Sequence, residues 1–201
     1  MPFKKITFLL LFVLLALSVQ AQTITDSVLF NKLGDFDLAR FNNDQGEAMR
    51  IGESILTDTA KLSIKMRTNF FARMAKLYED DDQNIKAITY YQKVIATTPD
   101  YYVAQRALGY LYDDEAEEIH LKLYITKSDD PAYRSLFDSY KARVLKALPH
   151  LEKAQACDPN DDSLDLIRIL YQNIHDEQGL NSLNTRLKNE GKNCVDMLSD
   201  N

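Results

Sequence analysis

Tryptophan is absent from the 201 residues, and glycine and proline are scarce, at six and five. So few turn formers exclude an all-β sandwich, which needs a turn about every ten residues. Basic residues are in deficit, with 24 Lys+Arg against 30 Asp+Glu for a formal charge of −6. A nucleic-acid binder neutralises phosphates with a basic stripe, so the balance argues against that class. No Gly-rich phosphate loop and no Gly-x-Ser-x-Gly occurs. His120, His150 and His175 stand 30 and 25 residues apart, without the i, i+4 pairing of a metal-binding helix. Asp158-Pro159-Asn160-Asp161-Asp162 starts like a calcium loop, but the central Gly is missing and Ile169 stands where a bidentate Glu belongs. These gaps leave no catalytic residue, no metal ligand set and no cofactor site to expect. What is present, 45% hydrophobic and 27% charged residues, describes an ordinary globular chain of one or at most two domains.

Residues 1–22 have a separate character. Lys4 and Lys5 precede fourteen nearly all apolar residues, Ile6 to Val19, and Val19-Gln20-Ala21 offers small residues at the two positions a signal peptidase reads. Fourteen residues reach only about 21 Å as a helix, against roughly 30 Å of hydrocarbon, so the segment reads as a cleaved secretory signal, not an anchor. Cleavage after Ala21 is expected, and no Cys lies nearby for acylation. The processed chain then has 22 basic and 30 acidic residues, a charge of −8, and a periplasmic or secreted location.

From Asp26 onward apolar residues recur at three- and four-residue steps, the period of one helix face. Leu29, Leu33, Phe36 and Phe41 mark a first stretch, and Ala48, Met49, Gly52, Ile55 and Leu56 a second. Leu62, Met66, Phe70, Phe71, Met74 and Tyr78 mark a third, then Ile85, Ile88, Tyr91 and Ile95 a fourth. Asn42-Asn43-Asp44, Asp58, Asp80-Asp81-Asp82 and Pro99-Asp100 separate them as turn signals. No window alternates at period two. The expected fold class is all-α.

A shift of 34 residues superposes Phe71, Met74, Ala75 and Tyr78 on Gln105, Leu108, Gly109 and Tyr112. The chain also reads Ala87-x₃-Tyr91-x₂-Val94 and then Pro99. This order resembles the tetratricopeptide repeat (TPR) family, whose pattern is W-x₂-L-G-x₂-Y, then A-x₃-F, then Pro. Gln105 departs from the aromatic expected there. The spacing has a physical basis. Small Ala75, Gly109 and Ala87 let paired helices approach, Tyr78 and Tyr91 fill the space between hairpins, and Pro99 stops a helix.

The second repeat is longer. Tyr78 to Ala87 is 9 residues but Tyr112 to Ala147 is 35, an excess of 26. Tyr112, Ala116, Ile119 and Leu123, then Tyr133, Phe137, Tyr140 and Val144, keep helical steps around a Ser128-Asp129-Asp130-Pro131 turn. An elongated hairpin is expected, projecting roughly 20 Å beyond its neighbours. The organisation is thus a leader (1–21) followed by one solenoid of stacked helix pairs (22–191). Its parts are a degenerate pair (26–57), a full repeat (60–99), the extended repeat (101–159), a polar capping pair (162–190) and a tail (192–201).

The resemblance implies binding of a protein or peptide, and no catalysis. It places Asn69, Ala72, Arg73 and Lys76, then Val103, Arg106 and Tyr110, on the concave face of successive first helices. Partner-binding residues are then Asn69, Arg73, Lys76, Arg106 and Tyr110, where Arg73, Lys76 and Arg106 form a basic patch for a carboxylate or acidic peptide. The competing surface is the hairpin of residues 113–146. The alternative class is a small-molecule or glycan binder using Tyr101, Tyr102 and Tyr110. Because second helices of such a stack run side by side, Cys157 and Cys194 fall at the same end. Two readings stand for them: a disulfide tying down the tail, or two free thiols.

Overall fold

The computed structural model describes residues 27–198. The leader expected over 1–21 lies outside them. Every regular element among the described residues is helical, so the chain is all-α. The residues fall into two compact units that part between Arg67 and Thr68.

The first unit contains α1 (27–41), α2 (Gln45–Leu56) and a 3₁₀ turn (Thr59–Lys61). α1 buries Leu29, Leu33, Phe36 and Ala39, and α2 buries Ala48, Ile51, Gly52 and Ile55. The Asn42-Asn43-Asp44 turn works as its residues predict. Asn43 takes the left-handed backbone (φ 57°) that Asn tolerates, and the Asp44 carboxylate accepts from the Glu47 amide (3.1 Å) to cap α2. Phe41 is a correction, since it is exposed at 85%. At 100° per residue it lies well off the arc set by Leu29, Leu33 and Phe36.

The second unit begins inside α3 (Ile64–Asp80) and continues through α4 (Asn84–Thr97), α5 (Tyr102–Ile125), α6 (Pro131–Cys157), α7 (Asp161–Asn173) and α8 (Glu177–Glu190). Asp82, at φ 55°, turns the chain between α3 and α4 while the Gln83 amide donates back to the Tyr78 carbonyl (2.8 Å). Tyr78 stacks on Tyr90 with ring centroids 5.5 Å apart, and the Tyr91 hydroxyl donates to Glu79 (2.6 Å). Ile85, expected in the core, is 80% exposed because it falls off the arc of Ala87, Ile88, Tyr91 and Val94. α4 ends two residues before Pro99.

α5 and α6 form a long hairpin, 24 residues against 17 for α3 and 27 against 14 for α4. The turn is built as its sequence suggests. Pro131 opens α6, and the Asp130 carboxylate accepts from the Ala132 amide (2.8 Å). At the helix crossing, a Cβ on Gly109 would lie 2.6 Å from Leu151 Cδ2 and 3.1 Å from the Leu151 nitrogen. Pro149 sits inside α6 without ending it. Without an N–H it leaves the half-exposed Leu145 turn one backbone bond short. The overhang is shorter than the expected 20 Å on one side. His175, beyond the end of α7, stacks on Phe137 (5.8 Å), and six residues separate Phe137 from Pro131, so about 9 Å of α6 extends past that contact.

The last pair is fixed by a buried ionic cluster. Glu152 on α6, 3% exposed, accepts from Arg186 Nε (2.7 Å) and Nη2 (2.8 Å) and from the Tyr171 hydroxyl. Arg186 also donates to the Gly179 carbonyl (2.9 Å). After α8 the tail folds back. The Val195 amide donates to the Asp100 carbonyl (2.8 Å), and its carbonyl accepts from the Tyr102 amide (3.1 Å).

Candidate functional site

All five residues expected at the partner-binding face belong to the second unit, on α3 and α5. Asn69 is a correction. It is buried at 4% exposure between Thr68 and Phe70, also buried, and presents nothing to a partner. Arg73, one turn on, is half-buried. Lys76 is exposed, but its ammonium pairs with Asp80 (2.6 Å) and Glu79 (3.6 Å), the positions three and four residues on. These carboxylates raise its pKa, the hydrogen bond to Asp80 contributing most.

Arg106 is committed inside the molecule. Its guanidinium donates to the Asp158 carboxylate (2.8 Å) and the Asp158 carbonyl (2.7 Å), and it lies over the Tyr102 ring at 5.6 Å. Its Nε is buried without an acceptor. Such a fork holds the α6–α7 connection against α5. Tyr110 shares a 2.6 Å hydrogen bond with the buried Ser163 hydroxyl at the start of α7. The basic patch is thus largely neutralised: two of its three cations carry carboxylate partners 2.6–2.8 Å away. Periodicity marks which helix face a residue occupies; it does not show a counter-charge arriving from 52 positions away.

Further along α5 the charge has the opposite sign. Asp113 is pushed up to about 6, chiefly by burial and then by Asp114 and Glu117. Burial also raises Asp114, with Glu79 of α3 and Glu118 adding to the shift. The Asp113-Asp114-Glu115 and Glu117-Glu118 text is legible in the sequence as an acidic run that begins about two turns after Arg106. The run passes between two helices. Tyr140 of α6 lies close enough for Asp113 and Glu117 to raise its pKa, after burial, and it accepts a hydrogen bond from Asn173 of α7 (3.1 Å).

Gln105 has a structural role. Buried where an aromatic was expected, it donates to the Pro99 carbonyl (2.7 Å) and meets His150 Nδ1 on α6 (2.6 Å). His150 in turn stacks on Tyr112 (5.7 Å), and burial lowers its pKa. Tyr101 and Tyr102 are half-buried, so neither offers an open stacking platform. A cleft of about 410 Å³ between α1 and α2 and another of about 570 Å³ along α6 are both open to solvent. Among the described residues, no group of three or more His, Cys, Asp or Glu is placed to hold a metal ion.

Cys157 and Cys194 are bonded to each other, their Cα atoms 5.5 Å apart across 37 positions. The bond anchors the tail beside the end of α6. Lys153 secures the same region, its ammonium pairing with Asp100 (2.7 Å) and donating to the Glu190 carbonyl (3.0 Å). No family model matches the chain, and no curated protein matches it.

Proposed function

We propose that the chain is an exported TPR-type helical scaffold of the cell envelope, which binds a protein partner and has no catalytic activity of its own. The observation that carries the repeat reading is the fate of the small residues. Ala75, Ala87, Gly109 and Ala147 are all buried, and Leu151 occupies the space a side chain at Gly109 would need. Repeat pairs of this kind need a small residue where helices cross, because backbones approach there. Tyr78 and Tyr91 are buried as space fillers in the same register.

Of the two surfaces, the hairpin is the better candidate. The face over Lys76 and Arg106 has its cations paired internally, whereas the two arms of the hairpin leave most of residues 117–139 exposed along their length. The test is crosslinking and affinity capture from the native envelope, with the processed chain and a version whose residues 116–141 are replaced by a short turn. One partner should be captured by the intact chain and lost from the shortened one, whose helicity is checked by circular dichroism. Equal capture by both would return the site to the α3–α5 face, where Arg73→Glu should then abolish it. Export has its own readout: sequencing of the protein recovered from its host should begin at Gln22.

A further inference from the structure

The free end of the α5–α6 hairpin combines two features. Leu121, Tyr124 and Ile125 are exposed at 60%, 85% and 81%, and their i, i+3, i+4 spacing places them on one face of the last two turns of α5. Leu123, between them, is buried at 8%, so the end is a formed helix packed on its inner side. The second feature is charge. Six cations elsewhere meet carboxylates: Lys61 with Asp58, Lys76 with Asp80, Arg106 with Asp158, Arg143 with Glu115, Lys153 with Asp100, Arg186 with Glu152. Lys93 and Lys146 lie over aromatic rings. Lys188 and Lys192, at the far end of α8 and beyond it, are exposed without an ion pair among the described residues, but α8 carries no exposed apolar cluster. Around the apolar end, Lys122, Lys127 and Arg134 are exposed and have no ion pair among the described residues. The turn's own acids are Asp129 and Asp130, and the second accepts from the Ala132 amide.

From this combination we infer that the hairpin end is a contact for an anionic membrane surface. At the end itself, as distinct from the two arms, the shape favours lipid over protein. A stable protein interface buries about 800 Å² per partner, and three side chains on a convex end supply only a few hundred. A bilayer interface accepts a point contact. Tyr124 suits that zone, having an apolar ring with a polar tip, and the flanking Lys residues suit lipid phosphates. Glu117 and Glu118 follow about one turn behind Leu121, and limit entry to the outer 5–10 Å, the depth of an interfacial helix. No helix of the described residues is long and apolar enough to cross a membrane, and a surface contact needs none. The inference does not depend on which protein the scaffold binds. Loss of partner capture and loss of lipid contact are read in separate experiments.

The absence of tryptophan provides the reporter. Tyr124→Trp places a single indole at the hairpin end of the protein as purified from its host, so a signal from any other segment does not interfere. Vesicles of phosphatidylglycerol and phosphatidylcholine at low salt should shift its emission to the blue, and pure phosphatidylcholine should not. Co-sedimentation with the mixed vesicles should fall at least about tenfold for Tyr124→Ser/Ile125→Ser and for Lys122→Glu/Lys127→Glu, and should weaken as salt rises. Lys188→Glu, on α8, should bind as the parent does. An emission spectrum unmoved by anionic vesicles, or unaltered binding of the Tyr124→Ser/Ile125→Ser chain, would overturn the inference. So would concentration-dependent self-association that this double variant abolishes while vesicles bind neither chain, since a second copy would then cover the patch.

Discussion

Gly109 leaves no room for a methyl group, with the Leu151 side chain and backbone nitrogen both against it. Gly109→Ala should therefore cost about 1–3 kcal/mol, read as a lower urea midpoint at unchanged slope. Asp113 makes the opposite prediction. Its carboxyl titrates at about 6 in the folded chain against 3.8 ordinarily, so the folded state holds the proton more tightly. Stability from this group is complete below about pH 3.8 and is lost as pH rises through 6. Asp113→Asn removes the ionisation and should stabilise the protein at pH 7.5 by about 1 kcal/mol, after discounting for its partial exposure. The gain should vanish below pH 4, a trend that denaturation at several pH values would record. Single residues were unevenly legible. Gly109 could be found from spacing, because a close approach demands a small residue at a fixed place in the period. Asn69 could not, because α3 buries a wide arc that includes Thr68 and Asn69, and apolar periodicity does not mark polar members of such an arc.

At the scale of elements, the hairpin was readable nearly to its ends. Asp130 and Pro131 carry both cap and first turn of α6, and their chemistry is local. Its overhang was not readable, since that depends on how far His175 reaches toward Phe137 from the neighbouring pair. The fastening of the last two helices was hidden for the same reason: Glu152 and Arg186 lie 34 positions apart. That cluster yields a firm expectation. Arg186→Met leaves a buried carboxylate without its cation and should destabilise by about 3 kcal/mol. Adding Glu152→Gln should restore much of the loss, and a double-mutant cycle by thermal denaturation separates pair from parts. Burial and the Glu152 hydrogen bond both raise the Tyr171 hydroxyl's pKa, so it stays protonated and continues to donate as pH rises.

Over the chain as a whole, the disulfide and the tail form one closure. A cross-link spanning 37 residues removes unfolded-state freedom worth about 4 kcal/mol in the chain-entropy account. Reduction should lower the urea midpoint accordingly, and hydrogen exchange at the Tyr102 and Val195 amides should accelerate first, since each is bonded only across that closure. Cysteine spacing suggested the pairing only through a resemblance. What the tail pairs with could not be anticipated, because a single bridge between Tyr101 and Val195 leaves no pattern in sequence. The same bridge also fixes an order in time. The first amide of α5 has no side-chain cap and donates instead to the carbonyl of Val195, a residue made more than ninety positions later. A chain emerging from its N-terminus therefore carries α5 with an open end through nearly all of the second half of its synthesis, and the start of the long hairpin is sealed last.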